Sequence, residues 1–162
     1  MVQIRLALFA LVCAWLAGAA PARAEPSGSI DGRPLISFDQ RYGGAVMIDV
    51  WATRSWLRVG AATGIGALSG NDDASSRVLT PLALSLALIP HDDASGFVGI
   101  VRGGGYGGGQ KSGLIGGAFV SGTLGYGFGL GEGASIRVAA ELWGLIGSHG
   151  GLLVGPTLGL GF

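Results

Sequence analysis

The stretch from Leu152 to Phe162, LLVGPTLGLGF, decides the fold. Every second residue is apolar: Leu152, Val154, Pro156, Leu158, Leu160 and Phe162. The residues between them, Leu153, Gly155, Thr157, Gly159 and Gly161, are mostly small. Period-two alternation reads as a β-strand with one greasy face and one slim face. The greasy face must be buried against a core or against lipid.

The same alternation recurs upstream. Eight segments carry it: 34–42, 45–53, 56–68, 77–89, 96–107, 113–129, 134–146 and 152–162. The breaks between them hold turn chemistry, as in SGNDDASS, PHDDAS, GGGQKSG, GLGEGA and GSHGG. Residues 25–33, EPSGSIDGR, read as a short lead-in. Helices fit poorly, because the 33 glycines would cost a helix interior about 1 kcal/mol each.

The phase of the charges gives the faces their meaning. In 45–53, Val46, Ile48 and Val50 share a phase and Asp49 takes the other. Leu57, Val59 and Ile65 oppose Arg58, and Val78, Leu82, Leu86 and Leu88 oppose Arg77. Ile136, Val138 and Leu142 oppose Arg137 and Glu141, while Ile36 and Phe38 oppose Asp39 and Arg41. In 96–107, Phe97 and Val101 face away from Arg102, but Val98 and Ile100 share its phase. Asp39, Asp49, Arg58, Arg102, Arg137 and Glu141 thus fall on one face, as candidates for a charge network. Trp51, Trp56 and Trp143 take the same phase and read as packing residues.

A soluble sheet would turn those charges to water. Here their face is otherwise largely Gly, Ala, Ser and Thr, which suits a narrow interior. The opposite face is apolar throughout, where a lipid-facing Arg or Lys would cost about 2–4 kcal/mol at mid-bilayer. An even number of strands closed into a cylinder leaves no edge unpaired in lipid. The expected fold is therefore all-β: an antiparallel, up-and-down, eight-stranded transmembrane β-barrel over 34–162. With both termini at the periplasmic end, Phe97, Phe128 and Phe162 form half of an aromatic girdle facing lipid. The other rim offers only Phe38, Tyr42 or Tyr106.

The beginning of the chain reads as a secretory signal peptide. Arg5 precedes the apolar run Leu6 to Leu16, and Ala22-Arg23-Ala24 is a small-x-small cleavage site before Glu25. Cleavage after Ala24 removes Cys13, the single cysteine, and leaves a chain with no disulfide. All ten acidic residues lie beyond that cut, with every Lys and Arg except Arg5 and Arg23. The slight negative balance gives no basis for nucleic-acid binding, which needs a concentrated basic surface.

On these residues the chain resembles the small eight-stranded outer-membrane barrels, the group of the OmpA transmembrane domain and OmpX-like proteins. The likeness covers 34–162 and rests on the leader, the eight alternating segments and Phe162 with Leu160 and Leu158 in phase. It implies residence in the outer membrane of a Gram-negative-type bacterium, contact with its lipid, and recognition of the C-terminal strand by the barrel-insertion machinery. It also implies a monomer.

Other chemistry has weaker support. GGGYGGGQKSG (103–113) is no phosphate loop, because Gln110 separates Gly109 from Lys111 and no helix pattern follows. His91, Asp92 and Asp93 sit in a turn, where Asp bonds its own backbone. Ser148, His149 and Glu141 are the one set that resembles a hydrolase triad, with Glu141 set deep in the interior. We assign no catalytic, cofactor or metal site. The interior charges read as paired plugs of a lumen only wide enough for side chains, and the role as structural or loop-mediated in the cell envelope. Two alternatives remain: a lipid-modifying barrel enzyme, and a carrier of a small hydrophobic ligand, including a soluble lipocalin-like barrel with the Leu-rich phase inward.

Overall fold

A computed structural model describes residues 26–37, 41–52, 56–69, 76–90, 95–147 and 150–162. Its strands are β1 (Ser27–Ser37), β2 (Tyr42–Trp51), β3 (Leu57–Ser69), β4 (Arg77–Leu88), β5 (Gly96–Gln110), β6 (Gly113–Gly131), β7 (Ala134–Gly147) and β8 (Gly151–Gly161). Each pairs antiparallel with the next, and β1 pairs with β8 to close the barrel. Two ends follow from this order. The hairpin end carries the connections after β1, β3, β5 and β7. The terminal end carries the other connections and both chain ends. There Gly28 and Phe162 exchange backbone hydrogen bonds of 2.8 and 3.0 Å.

Most strand bounds fall within a few residues of the alternation in the sequence; β1 is the exception. It spans Ser27–Ser37 rather than 34–42, so 27–33 is barrel wall and not lead-in, and Tyr42 belongs to β2. The physical reason is composition. The inward slots Ser27, Ser29, Asp31 and Arg33 are all polar, and Gly32 and Pro34 interrupt the outward row between Ile30 and Ile36. Such a strand looks like a loop. The end of β5 is the second difference: Gly107, Gly108 and Gly109 pair with both β4 and β6 instead of forming a loop.

The structure turns the Leu-rich phase outward. Leu82, Leu86 and Leu88 of β4 are exposed, as are Val138 and Leu142 of β7 and Leu158 and Leu160 of β8. Every charged residue within the described strands is buried inside: Asp31, Arg33, Asp49, Arg58, Arg77, Arg102, Arg137 and Glu141. This orientation is the reverse of what a soluble barrel around an apolar ligand needs. The lipocalin-like alternative is corrected on that ground.

Inward glycines set the curvature. A Cβ at Gly60 would lie 2.0 Å from the Val50 carbonyl oxygen, and one at Gly108 would lie 2.0 Å from that of Val78. Neighbouring backbones approach there as only glycine allows. The β6–β7 connection uses a left-handed run, with φ of 83° at Gly131, 54° at Glu132 and 81° at Gly133.

Candidate functional site: the lumen charge cluster

Interior side chains stack in three zones. At the hairpin end, Leu35, Met47, Leu68, Leu79, Phe119 and Trp143 belong to one apolar cluster, with Phe119 and Trp143 edge to face at 4.9 Å. Toward the terminal end, Trp51, Ala87, Ile89, Val98 and Ile100 form a second. The charges joined by Arg102 lie between them. Val98 and Ile100 therefore share the phase of Arg102 because they cap the charged zone from below.

Arg102 is the hub. Its Nε and Nη2 donate to the two carboxylate oxygens of Asp49 at 3.0 and 2.6 Å, a bidentate pair. Nη2 also donates to Asp31 Oδ2 at 3.2 Å, and Nη1 donates to Glu141 Oε1 at 2.9 Å and Thr123 Oγ1 at 3.1 Å. Arg33 pairs through Nη1 with Glu141 Oε2. Arg137 Nη2 donates to Asp31 Oδ1 at 2.9 Å. Trp143 Nε1 donates to Glu141 Oε1 at 2.8 Å. Three arginines thus meet three carboxylates contributed by β1, β2, β5 and β7.

Their burial explains the pairing. Asp49 and Arg102 are 0% exposed and Glu141 is 1%. Transfer of such ions from water costs several kcal/mol each unless partners and hydrogen bonds compensate. Arg33 and Arg137 gain further contact from indole faces, at 5.6 Å over Trp143 and 5.5 Å over Trp51. Asp49, Arg102, Arg137 and Glu141 thus meet in one cluster. Arg58 stands apart toward the terminal end, donating to Ser27 Oγ at 3.1 Å and Pro90 O at 3.3 Å, over the Trp51 ring. Asp39 lies outside the described residues, and Arg41 is half-buried at the hairpin end. The sequence reading missed Asp31 and Arg33. The available signal was their shared phase opposite Ile30 and Ile36.

Three smaller corrections concern aromatics. Trp56 is exposed rather than inward, because it sits in the turn before β3, where the pleat no longer fixes its direction. Tyr106 is buried in the hairpin-end cluster, not on an outer rim. Phe97, Phe128 and Phe162 do face outward at the terminal end, and Tyr126 joins them, 6.0 Å from Phe97 and 5.1 Å from Phe128.

The remaining candidates bring little together. His91, Asp92, Asp93, Ser148 and His149 lie outside the described residues, as do the leader and its Ala22 and Ala24. Glu141 is engaged by Arg33, Arg102 and Trp143. Among the described residues no group of His, Cys, Asp and Glu is arranged to hold a metal ion. GGGYGGGQKSG is the end of β5, a two-residue turn and the first residue of β6.

Comparison with solved structures places the architecture. The N-terminal β-barrel domain of Pseudomonas aeruginosa OprF is similar with a TM-score of 0.52 and 17% identity, over 84% of this chain and 97% of that one. Neisserial surface protein A is similar with a TM-score of 0.60 and 10% identity, over 84% and 94%. The fold is that of the small eight-stranded outer-membrane barrels. At these identities the likeness concerns the fold alone. No protein-family model matches the chain, and no curated protein does.

Proposed function

We propose that this chain is an integral protein of a bacterial outer membrane, exported by a leader cleaved after Ala24, whose lumen is plugged by salt bridges. Its role is structural, or an interaction borne by its loops in the cell envelope. The observation that carries this reading is the burial of every charged strand residue behind an apolar outer face. A barrel in water would gain nothing from hiding charges and exposing Leu and Val. In lipid the apolar outer face is in its preferred solvent, and inside, the pairing of the charges offsets their removal from water.

The order of the zones supports the plug. Apolar side chains lie on either side of the charges, and Arg102 ties three carboxylates together across the lumen. Phe162 and the outward row of β8 form the strand that the insertion machinery would read. The outward Phe97, Tyr126, Phe128 and Phe162 would sit at the periplasmic interface. No cofactor or nucleic acid enters this account, and the chain acts as a monomer.

Fractionation of the expressing cell tests the reading, together with electrophoresis of boiled and unboiled protein. We expect recovery in the outer-membrane fraction and a folded form that shifts on boiling. Recovery as a soluble periplasmic protein would overturn it.

A further inference from the structure

The seam that closes the barrel is broken in mid-wall. Pairing between β1 and β8 runs from Ser29↔Gly161 to Gly32↔Leu158 and resumes at Ile36↔Val154. That register sets Pro34 opposite Pro156. Gly28 and Phe162 exchange both of their backbone bonds, so alternate pairs along this seam, including 34 with 156, are hydrogen-bonding positions. Neither proline has an N–H, so neither bond of that pair forms. The ladder between β3 and β4 also breaks, between Thr63↔Leu82 and Gly66↔Leu79, with Pro81 in the gap. There the Thr63 hydroxyl donates to Pro81 O at 3.1 Å and bridges the break. At the β1–β8 break both facing residues are prolines, and both lie on the outer surface.

A groove adjoins this break. Its volume is about 670 Å³ and its lining includes Ile36, Leu124, Tyr126, Ala140, Val154 and Pro156. The registers explain its shape. Leu124 pairs with Ala140, and Ala140 with Pro156, while Pro34 pairs with Gly44. Beyond Leu124, this outward row is therefore low, made of Ala140, the two prolines and Gly44. Taller rows flank it: Tyr126, Val138 and Leu158 on one side, and Leu142, Val154 and Ile36 on the other. Strands of a membrane barrel tilt by roughly 45°, so a row running across them also climbs the wall obliquely. Phe97, 82% exposed, stands at the end nearest the aromatic rim.

We propose that this groove holds one acyl chain of a membrane phospholipid, laid along Ala140 and Pro156 and covering the break in the seam. The proposal rests on the membrane reading above and extends it from a uniform lipid contact to a fixed site. The occupant follows from chemistry and place. The groove is apolar, shallow and open to the outside, and it is continuous with the face that meets hydrocarbon. The break presents no N–H to the chain that covers it; the two proline carbonyls lose their ladder donors, and that of Pro34 lies against Gly155.

Native mass spectrometry of the full chain tests this, after folding in vesicles of phosphatidylethanolamine and phosphatidylglycerol and mild detergent extraction. Each sample is also run boiled and unboiled. The wild type should retain about one phospholipid per chain. Ala140→Phe, which fills the floor, should retain several-fold less, and Ala140→Val an intermediate amount. Leu86→Phe, on the opposite wall, should retain as much as the wild type. Equal retention in all four, or none in a wild type that shifts on boiling, overturns the lipid site and leaves the membrane barrel standing. A wild type that neither enters vesicles nor shifts on boiling overturns both.

Discussion

At Gly104 an added Cβ would stand 2.1 Å from the Leu82 carbonyl oxygen and 2.6 Å from Ala83 Cα, whereas at Gly103 it would meet nothing within 4 Å. The two are consecutive on β5 and differ only in the face they present. The contrast recurs at other pairs of positions. Inward Gly43, Gly117 and Gly155 all press against a neighbouring carbonyl, while outward Gly99, Gly107 and Gly122 touch nothing within that distance. The interior is fixed by the protein itself, through close backbone approach, two apolar clusters and a paired charge cluster. The exterior is left to its medium. One wall thus meets two demands that rarely coincide in a soluble sheet.

Substitutions that carry one face's rules onto the other should break this contrast most clearly. The largest effect is expected from Arg102→Met, which leaves Asp31, Asp49 and Glu141 facing one another with their shared partner gone. Removal of one member from a buried ionic cluster costs about 3–5 kcal/mol, and urea unfolding in lipid vesicles should show a loss of that order. Next comes Leu142→Arg, a charge placed on the outward face of β7. In lipid it should cost about 2–4 kcal/mol in the same unfolding experiment, whereas on a water-facing wall it would be close to neutral.

The glycine pair sharpens the contrast with smaller effects. Gly104→Ala inserts a methyl where backbone already stands, and overpacking of this kind costs about 1–3 kcal/mol. Gly103→Ala adds the same methyl in open space on an extended backbone. It should be neutral or gain at most about 0.5–1 kcal/mol, because glycine within a strand is entropically costly. If both substitutions gave the same change, the account of the inward glycines would fail.

How legible this was in the sequence varied by face and by strand. The outward face was readable nearly throughout, because the pleat sets its apolar residues at every second position of a strand. The inward face was readable where it is charged and at Trp51 and Trp143. Phe119, Leu145 and Leu153 stand on the inward phase beside outward Val120, Ile146 and Val154, so both phases are apolar locally and alternation cannot separate them. The apolar zones of the lumen were hidden for that reason. Asp31 and Arg33 were hidden differently. β1 carries Ile30 and Ile36 with glycine and proline between them, and such a strand has too few outward apolar residues to announce itself. Its membership depends on pairing with β2, the next strand, and on closure against β8, which is remote in sequence.

The claim that joins the two faces is a membrane barrel sealed from within by the Arg102 cluster and the apolar zones beside it. Conductance across a planar lipid bilayer tests it most directly, with the folded full chain inserted and its insertion verified by the shift on boiling. The account predicts a silent bilayer, with no discrete current steps in the wild type. Regular, voltage-driven steps from correctly folded wild-type protein would contradict it, since they would require a continuous aqueous path through residues placed here in contact.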